Sequence, residues 1–313
     1  MKLIFMGTPE SAVPSLKRCV DDGHEVLAVW TQPDRPAGRG NKLKAPPVKE
    51  FALAHGLVVH QPSKIKTDEA FARFSTYDAD AAVVVAYGRI LPAAYLHAPR
   101  HGCVNVHFSL LPKYRGAAPV NWAVVRGERE TGVTTMLMDA GLDTGPVLLQ
   151  RETEIGERET APQLLERLSH AGAELLSETL ARLNEIEPRA QRDEEATLAP
   201  ILKREDGLIV WTLDASDIER RVRGLQPWPN AFTFHNGRRL VVWRAAPLPS
   251  RDDAGAHPDF QAGTVYLAQG ELVVGCGGGT ALRLDEVQLE GKQRMSAQAF
   301  ANGMHWVGGE QLG

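Results

Sequence analysis

The segment "NVHFSLLP" (105–112) places an amide and an imidazole two residues apart, in a stretch interleaved with Val104, Val106 and Phe108. In an extended chain, residues two apart share a face. Asn105 and His107 therefore point one way and the apolar residues the other. Further along, "MDAGLDTGPV" (138–147) holds Asp143 in a tight loop between Gly141 and Gly145. If that loop folds over the strand, an amide, an imidazole and a carboxylate meet. Asn can offer an N–H to a developing oxyanion. His, kept protonated by a neighbouring carboxylate, can donate a second hydrogen bond or a proton. Asp can orient the His and accept a proton, directly or through water. These groups suffice to pass an acyl group to an amine directly, without a covalent enzyme intermediate. Ser109 lies outside any GxSxG elbow, so a serine nucleophile is not indicated. The plainer alternatives are a satisfied core His107, a loop-bonding Asn105 and a turn-bending Asp143. Cys103 reads as a small buried apolar residue.

A strand that carries such a pair needs a sheet around it. "KLIFMG" (2–7) is an apolar run stopping at Gly7, followed by a helix that ends at Gly23. "EVLAVWTQ" (25–32), "LVVHQP" (57–62), "ADAAVVVAYG" (79–88), "GCVNVHF" (102–108) and "GVTTMLMD" (132–139) read as further strands. "PPVKEFALAHG" (46–56) is a helix entered through proline and closed by glycine. Apolar strands alternating with helices predict a Rossmann-like α/β domain, a mostly parallel sheet with helices on both faces. Ligands of such sheets bind beyond the carboxyl ends of the strands. Gly7, Tyr87, His107 and Asp139 are expected near those ends. "MGTPES" lacks the second and third glycines of a dinucleotide fingerprint, and GxxxxGK is missing, which argues against nicotinamide and ATP chemistry.

"TAPQLLERLSHAGAELLSETLARL" (160–183) is a long helix with a Thr160/Gln163 capping box, its core face running through Leu164, Leu168, Ala171, Leu175 and Leu183. The periodicity then dissolves into proline and alternating charge. "FTFHNGRRLVVW" (232–243) turns on Asn236-Gly237, a hairpin signal, and more short strands with glycine turns follow. The expected organisation is a catalytic domain over 1–187, a linker over 188–207 and a small OB-like β-barrel over 208–313.

Two domains also suit 313 residues. The net charge of −4 excludes a globally basic nucleic-acid binder but leaves room for a local basic site. Three distant cysteines indicate no disulfide framework, and ten histidines without HExxH spacing indicate no metal. No apolar run reaches membrane-spanning or signal-peptide length, so a cytoplasmic protein with no membrane partner is expected; a monomer is expected too, although nothing in the sequence fixes the oligomeric state. One strongly basic stretch stands out. Residues 33–49 carry Arg35, Arg39, Lys42, Lys44 and Lys49 against Asp34, five minus one or +4. It is either a solvated loop or a finger that grips phosphates. From residue 208 onward there are ten Lys plus Arg and eleven Asp plus Glu, a net of −1. The arginines there cluster at 220–223 and 238–244, and the sequence leaves open whether they share a face.

"NVHFSLLPKYRGAAPVNWAV" followed by "MDAGLDTGPV" resembles the signature of the 10-formyltetrahydrofolate-dependent formyltransferases. The likeness runs the length of the chain, through "MGTPESAVPSL", "TQPDRPAGRGNKLKAPPVKEFA", "ATLAPILKREDGLIVW" and "RGLQPWPNAF". It implies that Asn105, His107 and Asp143 are catalytic and that a tetrahedral intermediate forms. It implies that Ser109, Leu110, Leu111 and Pro112 belong to the folate site, with Tyr87, Ile90 and Leu91 at the pterin. It implies initiator Met-tRNA as the formyl acceptor, for translation initiation, with Arg35, Arg39, Lys42 and Lys44 on the tRNA. The same trio could instead formylate an amino sugar on a nucleotide. A catalytically inert RNA-binding module is a third possibility, against which the intact trio argues.

Overall fold

The computed structural model of the protein describes residues 1–37, 42–248, 260–268 and 270–313. It divides into two compact units. The first comprises Met1–Pro119, Glu130–Glu154 and Leu165–Pro200; the second comprises Val120–Arg129, Ile155–Leu164 and Ile201–Gly313.

The strands of the first unit are β1 (Lys2–Gly7), β2 (Glu25–Trp30), β3 (Arg35–Ala37), β4 (Lys42–Lys44), β5 (Val59–His60), β6 (Ala81–Val85), β7 (Cys103–His107), β8 (Arg115–Gly116), β9 (Glu130–Leu137), β10 (Val147–Glu154) and β11 (Leu198–Ala199). Seven of them form one sheet in the order β10-β9-β7-β6-β1-β2-β5. β1, β2, β5, β6 and β7 run parallel, and β9 and β10 are antiparallel additions at one edge. This is the expected mostly parallel sheet. β10 is not among the expected strands: its outer half alternates with solvent, as an edge strand does. The chain reverses its direction of winding between β1 and β6, which is where a ligand crevice opens in such sheets.

Both faces are covered. On one, Trp30, Ile4, Met6 and Val84 pack with Phe74 of α3 (Asp68–Ser75) and Tyr95 of α4 (Ala93–His97). α1 (Val13–Asp21) and α6 (Ala161–Ala181) lie on the other, joined by the Arg18–Ser177 and Ser177–Asp22 hydrogen bonds. Gly172 of α6 explains how closely that helix approaches. A Cβ there would come within 2.9 Å of Val106 Cγ1 and 3.4 Å of Phe108. Val106 and Phe108 are therefore the helix-facing side of β7, and Asn105 and His107 face the other way, as the alternation requires.

The strand β9 corrects one expectation. Asp139 follows an antiparallel strand, whose end Leu137 pairs with Val104 while Thr134 pairs with His107. Asp139 thus lies beside the start of β7, away from the carboxyl ends of the parallel strands.

The segment expected as a linker, 188–207, is shared between the two units, which divide at Pro200. Arg189 exchanges two backbone hydrogen bonds with Val147, and β11 pairs with β8. These are backbone and single side-chain contacts, which leave no apolar period in a sequence.

The second unit holds α5 (Pro119–Arg126, from Val120), α7 (Ala215–Gly224), α8 (Ala297–Gly303) and the strands β12 (Phe232–His235), β13 (Arg238–Pro247), β14 (Val265–Ala268), β15 (Glu271–Gly275), β16 (Ala281–Leu289) and β17 (Met295–Ser296). The sheet order is β12-β13-β16-β15-β14, with β17 on β16. β12 and β13 meet at Asn236 and Gly237, both at positive φ, as a two-residue hairpin turn demands. Register shifts at Val242, Arg244 and Ala245 curl the sheet. The expected small barrel is present as this curled half-barrel around Trp211, Ile218, Leu240, Val242, Leu284 and Phe300.

Candidate active site

The site grows from the polar face of β7. Asn105 is flanked by Val84 of β6 and Met136 of β9, and His107 by Thr134. Asn105 is 8% exposed and makes no side-chain hydrogen bond among the described residues. A buried amide normally finds a partner. One left open at a strand end is a donor available to a ligand.

His107 is 6% exposed, and its Nε2 lies 3.0 Å from the carbonyl oxygen of Tyr114. A carbonyl only accepts, so Nε2 carries the proton of that bond. The other nitrogen, Nδ1, is 3.8 Å from Asp143 Oδ2. That is an ion-pair separation and too long for a hydrogen bond. The ring is thus held by Tyr114, not by Asp143, and Nδ1 stays available. Tyr114 takes a positive φ, 62°, and its own N–H is held by Thr197 Oγ1 at 2.9 Å. No signal in the sequence pointed to Tyr114.

Asp143 reaches His107 because the loop after β9 returns over the sheet. Its φ is 54°, a left-handed conformation uncommon outside glycine. Its Oδ2 accepts from Gly116 N at 2.8 Å. Asp139, at the root of the loop, accepts from Gly141 N and from Thr144 Oγ1, which closes the turn. His107 and Asp143 thus meet, and Asn105 shares the strand face of His107.

"SLLP" is only partly surface. Ser109 is fully buried and donates to Lys113 O at 2.6 Å. Leu111 packs in the core with Met136 and Val147. Leu110 and Pro112 are half-buried and retain accessible surface. Thr134 Oγ1 ties the segment down, donating to Ser109 O at 2.6 Å and accepting from Leu111 N at 3.1 Å. Gln150 adds bonds to Leu111 O and Thr134 Oγ1. Tyr87 and Leu91 are core residues, whereas Ile90 is 75% exposed. Tyr87 touches the crevice through its backbone: its carbonyl accepts from Thr8 Oγ1 and Gln32 Nε2. Its hydroxyl is buried without a partner, and burial pushes its pKa up to about 12.

A cleft of about 420 Å³ opens at the ends of β1, β2 and β6, lined by Thr8, Gln32, Pro46, Pro47, Ala86 and Gly88, with Arg35 and Lys44 among its walls. Arg35 and Lys44 face each other directly on the β3–β4 ribbon, both exposed. Lys42 opposes Ala37 on the same ribbon. Arg39 lies outside the described residues. Lys49 is committed elsewhere, bonded to Asp34 at 2.8 Å. Hydrogen bonds from Gln61 and Lys49 hold the Asp34 carboxyl below its usual range. The basic stretch is thus a two-stranded ribbon with an internally neutralised base.

In the second unit, several clustered arginines have partners. Arg220 pairs with Asp217, Arg223 with Glu219, and Arg294 with Glu286. Arg239 lies over the Phe232 ring, 4.1 Å from its centroid. A cleft of about 1060 Å³ in this unit is lined by seven arginines and four acidic residues, a balance of +3. Arg129 and Arg158 on it are exposed and have no ion pair among the described residues.

Among the described residues no cluster of His, Cys, Asp or Glu could hold a metal ion, and no helix is long and apolar enough to cross a membrane.

The sequence profile of the Formyl transferase family matches residues 1–180, and that of the Formyl transferase C-terminal domain matches residues 201–305. The methionyl-tRNA formyltransferase of Caldanaerobacter subterraneus subsp. tengcongensis is 48% identical over 306 residues, 97% of this chain and 97% of that protein. That of Geobacter metallireducens is 47% identical over 315 residues, 100% of this chain and 99% of that protein. Among solved structures, WlaRD, a sugar 3N-formyl transferase crystallised in the presence of dTDP and 5-N-formyl-THF, superposes with a TM-score of 0.66 at 15% identity. The match covers 94% of this chain and 99% of that one, and at this identity the likeness speaks to the fold alone.

Proposed function

The chain belongs to the formyl transferase family, and from that premise we propose that it transfers the formyl group of 10-formyltetrahydrofolate to the amino group of methionine on initiator tRNA, for translation initiation. The observation that carries this is the open Asn105 amide beside a His107 whose Nδ1 lies 3.8 Å from Asp143, in a chain whose full-length relatives are methionyl-tRNA formyltransferases.

The donor supplies an electrophilic formyl carbon. The methionine nitrogen attacks it, and the carbonyl oxygen of the tetrahedral intermediate takes the negative charge. Asn105 Nδ2–H is a donor for that oxygen. With Nε2–H given to Tyr114 O, Nδ1 of His107 is the ring nitrogen that faces the site, and it donates to that oxygen when the ring carries both protons. Asp143 accepts the proton lost by the attacking amine, directly or through water. The carbon–nitrogen bond to the donor then breaks, its electron pair goes to the donor nitrogen, and that nitrogen takes the same proton back from Asp143, directly or through water. Leu110 and Pro112, which retain surface, and the exposed Ile90 are the apolar groups offered to the folate.

The β3–β4 ribbon is the proposed tRNA grip. Like charges directly opposed on a ribbon are unfavourable by themselves. Arg35 opposite Lys44 makes sense against phosphates, which would neutralise both. The basic cleft of the second unit, with Arg129 and Arg158, offers a second surface for the same backbone. This function places the protein in the cytoplasm.

The test is transfer of labelled formyl from 10-formyltetrahydrofolate to Met-tRNA, with uncharged tRNA and a nucleotide-linked amino sugar in parallel. Label on Met-tRNA alone is the expected result. Transfer to the sugar amine, or tRNA binding without transfer, would overturn it.

A further inference from the structure

We propose that Gln191 is a positioning residue for Asp143, an assignment that rests on the role just given to that carboxylate. Gln191 belongs to the segment following α6 and lies within the first unit. Its Nε2 donates to two carbonyls of the Asp143 loop, Asp143 O at 2.8 Å and Gly145 O at 2.7 Å. Its Oε1 accepts from Arg115 Nε at 3.0 Å. Arg115 is buried, its backbone N–H is held by Thr197 O at 2.8 Å, and its Nη1 pairs with Asp193 at 2.9 Å. The next residue, Gly116, donates its N–H to Asp143 Oδ2.

These bonds close a ring. The Arg115-Gly116 peptide holds the carboxylate of Asp143 on one side. Through Gln191 the Arg115 guanidinium holds the backbone of the same residue on the other. Asp143 needs such a clamp. Its left-handed φ is uncommon outside glycine, though aspartate tolerates it better than most residues, and the surrounding bonds favour it here. Gly145 is likewise pressed against the sheet: a Cβ there would lie 1.8 Å from Leu137 O. Only a primary amide of this length fills the position. It donates two bonds and accepts one, whereas a carboxylate cannot donate and an ammonium cannot accept. Among the described residues Gln191 makes no hydrogen bond to His107 or Asn105, so its effect on transfer passes through the loop.

The experiment is single-turnover formyl transfer with excess enzyme, comparing wild type, Gln191→Ala and Gln191→Glu, each also in an Asp143→Asn background. A small displacement of a reacting group costs up to about 10²-fold. Both Gln191 variants should slow transfer roughly 10- to 10²-fold while Kd for Met-tRNA and for the folate stays within about 3-fold. In the Asp143→Asn background the further slowing should shrink to less than about 2-fold, because the two residues act as one unit. Wild-type transfer by either Gln191 variant overturns the assignment. So does equal slowing in both backgrounds, which would mean that Gln191 acts on something else. If the Ala variant fails to fold, judged by circular dichroism, the Glu variant carries the test; failure of both makes Gln191 structural only and overturns the proposal. Full activity of Asp143→Asn alone would sink the role of Asp143 itself, whereas a crippled Asp143→Asn beside a normal Gln191→Glu would sink only Gln191.

Discussion

The imidazole of His107 is gripped from one side only. Nε2 donates to the Tyr114 carbonyl at 3.0 Å, while Nδ1 faces Asp143 Oδ2 across 3.8 Å without a hydrogen bond. The ring is thus oriented by backbone, and the nitrogen facing the carboxylate is left for a ligand.

His107→Ala should lower formyl transfer by about 10²- to 10⁴-fold, the usual loss for a positioned acid or oxyanion donor. Asn105→Ala should behave in the same way. Neither should change Met-tRNA or folate affinity by more than a few-fold. Rapid-quench rates and equilibrium binding decide this, and a His107→Ala rate within a few-fold of wild type removes the residue from the mechanism.

The ribbon prediction concerns salt. Replacing Arg35 and Lys44, which oppose each other across β3 and β4, with Ala should weaken Met-tRNA binding. It should also flatten the log–log salt dependence by roughly 0.7 to 0.9 for each phosphate no longer neutralised. Folate affinity should stay put. Unchanged Met-tRNA affinity at every salt concentration would return the ribbon to a solvated role.

Thr134→Val tests the tether under "SLLP". The hydroxyl is fully buried, donates to Ser109 O and accepts from Leu111 N. The Val side chain has nearly the same shape but leaves that buried N–H without its partner. The expected cost is about 1 to 3 kcal/mol, read from urea unfolding. A loss below about 0.5 kcal/mol would mean the loop finds other partners.

Acid should destabilise the fold through three histidines. Burial holds the pKa of His24, His60 and His235 below the ordinary 6.5. The N-terminal ammonium adds to this at His24, Arg73 at His60 and Arg238 at His235. In each case the unfolded chain takes up its proton first as pH falls. Stability is therefore fully present above pH 6.5 and is lost progressively from there down to the lower native values. Urea midpoints at about pH 7.5 and 5.5 should show the decline, and His235→Gln should reduce its slope. A midpoint that rises on acidification contradicts it.

The periodic and the local were legible in the sequence. Alternation from Cys103 to Phe108 is enough to put Asn105 and His107 on one face of a strand, because a strand's side chains repeat every two residues whatever surrounds it. Apolar runs announced β1 and β6, the Thr160/Gln163 pair marked the start of α6, and Asn236-Gly237 made a hairpin turn that local backbone preference dictates. What only the tertiary structure decided was who meets that face. β9 runs antiparallel, so Asp139 is carried away from His107 and the loop must bring Asp143 back. Tyr114 holds the ring through a carbonyl, a group every residue carries and no sequence distinguishes. Gln191 reaches the same loop from 48 residues further along the chain, out of a segment whose polar composition reads as a linker. Burial of apolar surface repeats along an element and leaves a period in the sequence. A single directional hydrogen bond between distant segments occurs once, and leaves none.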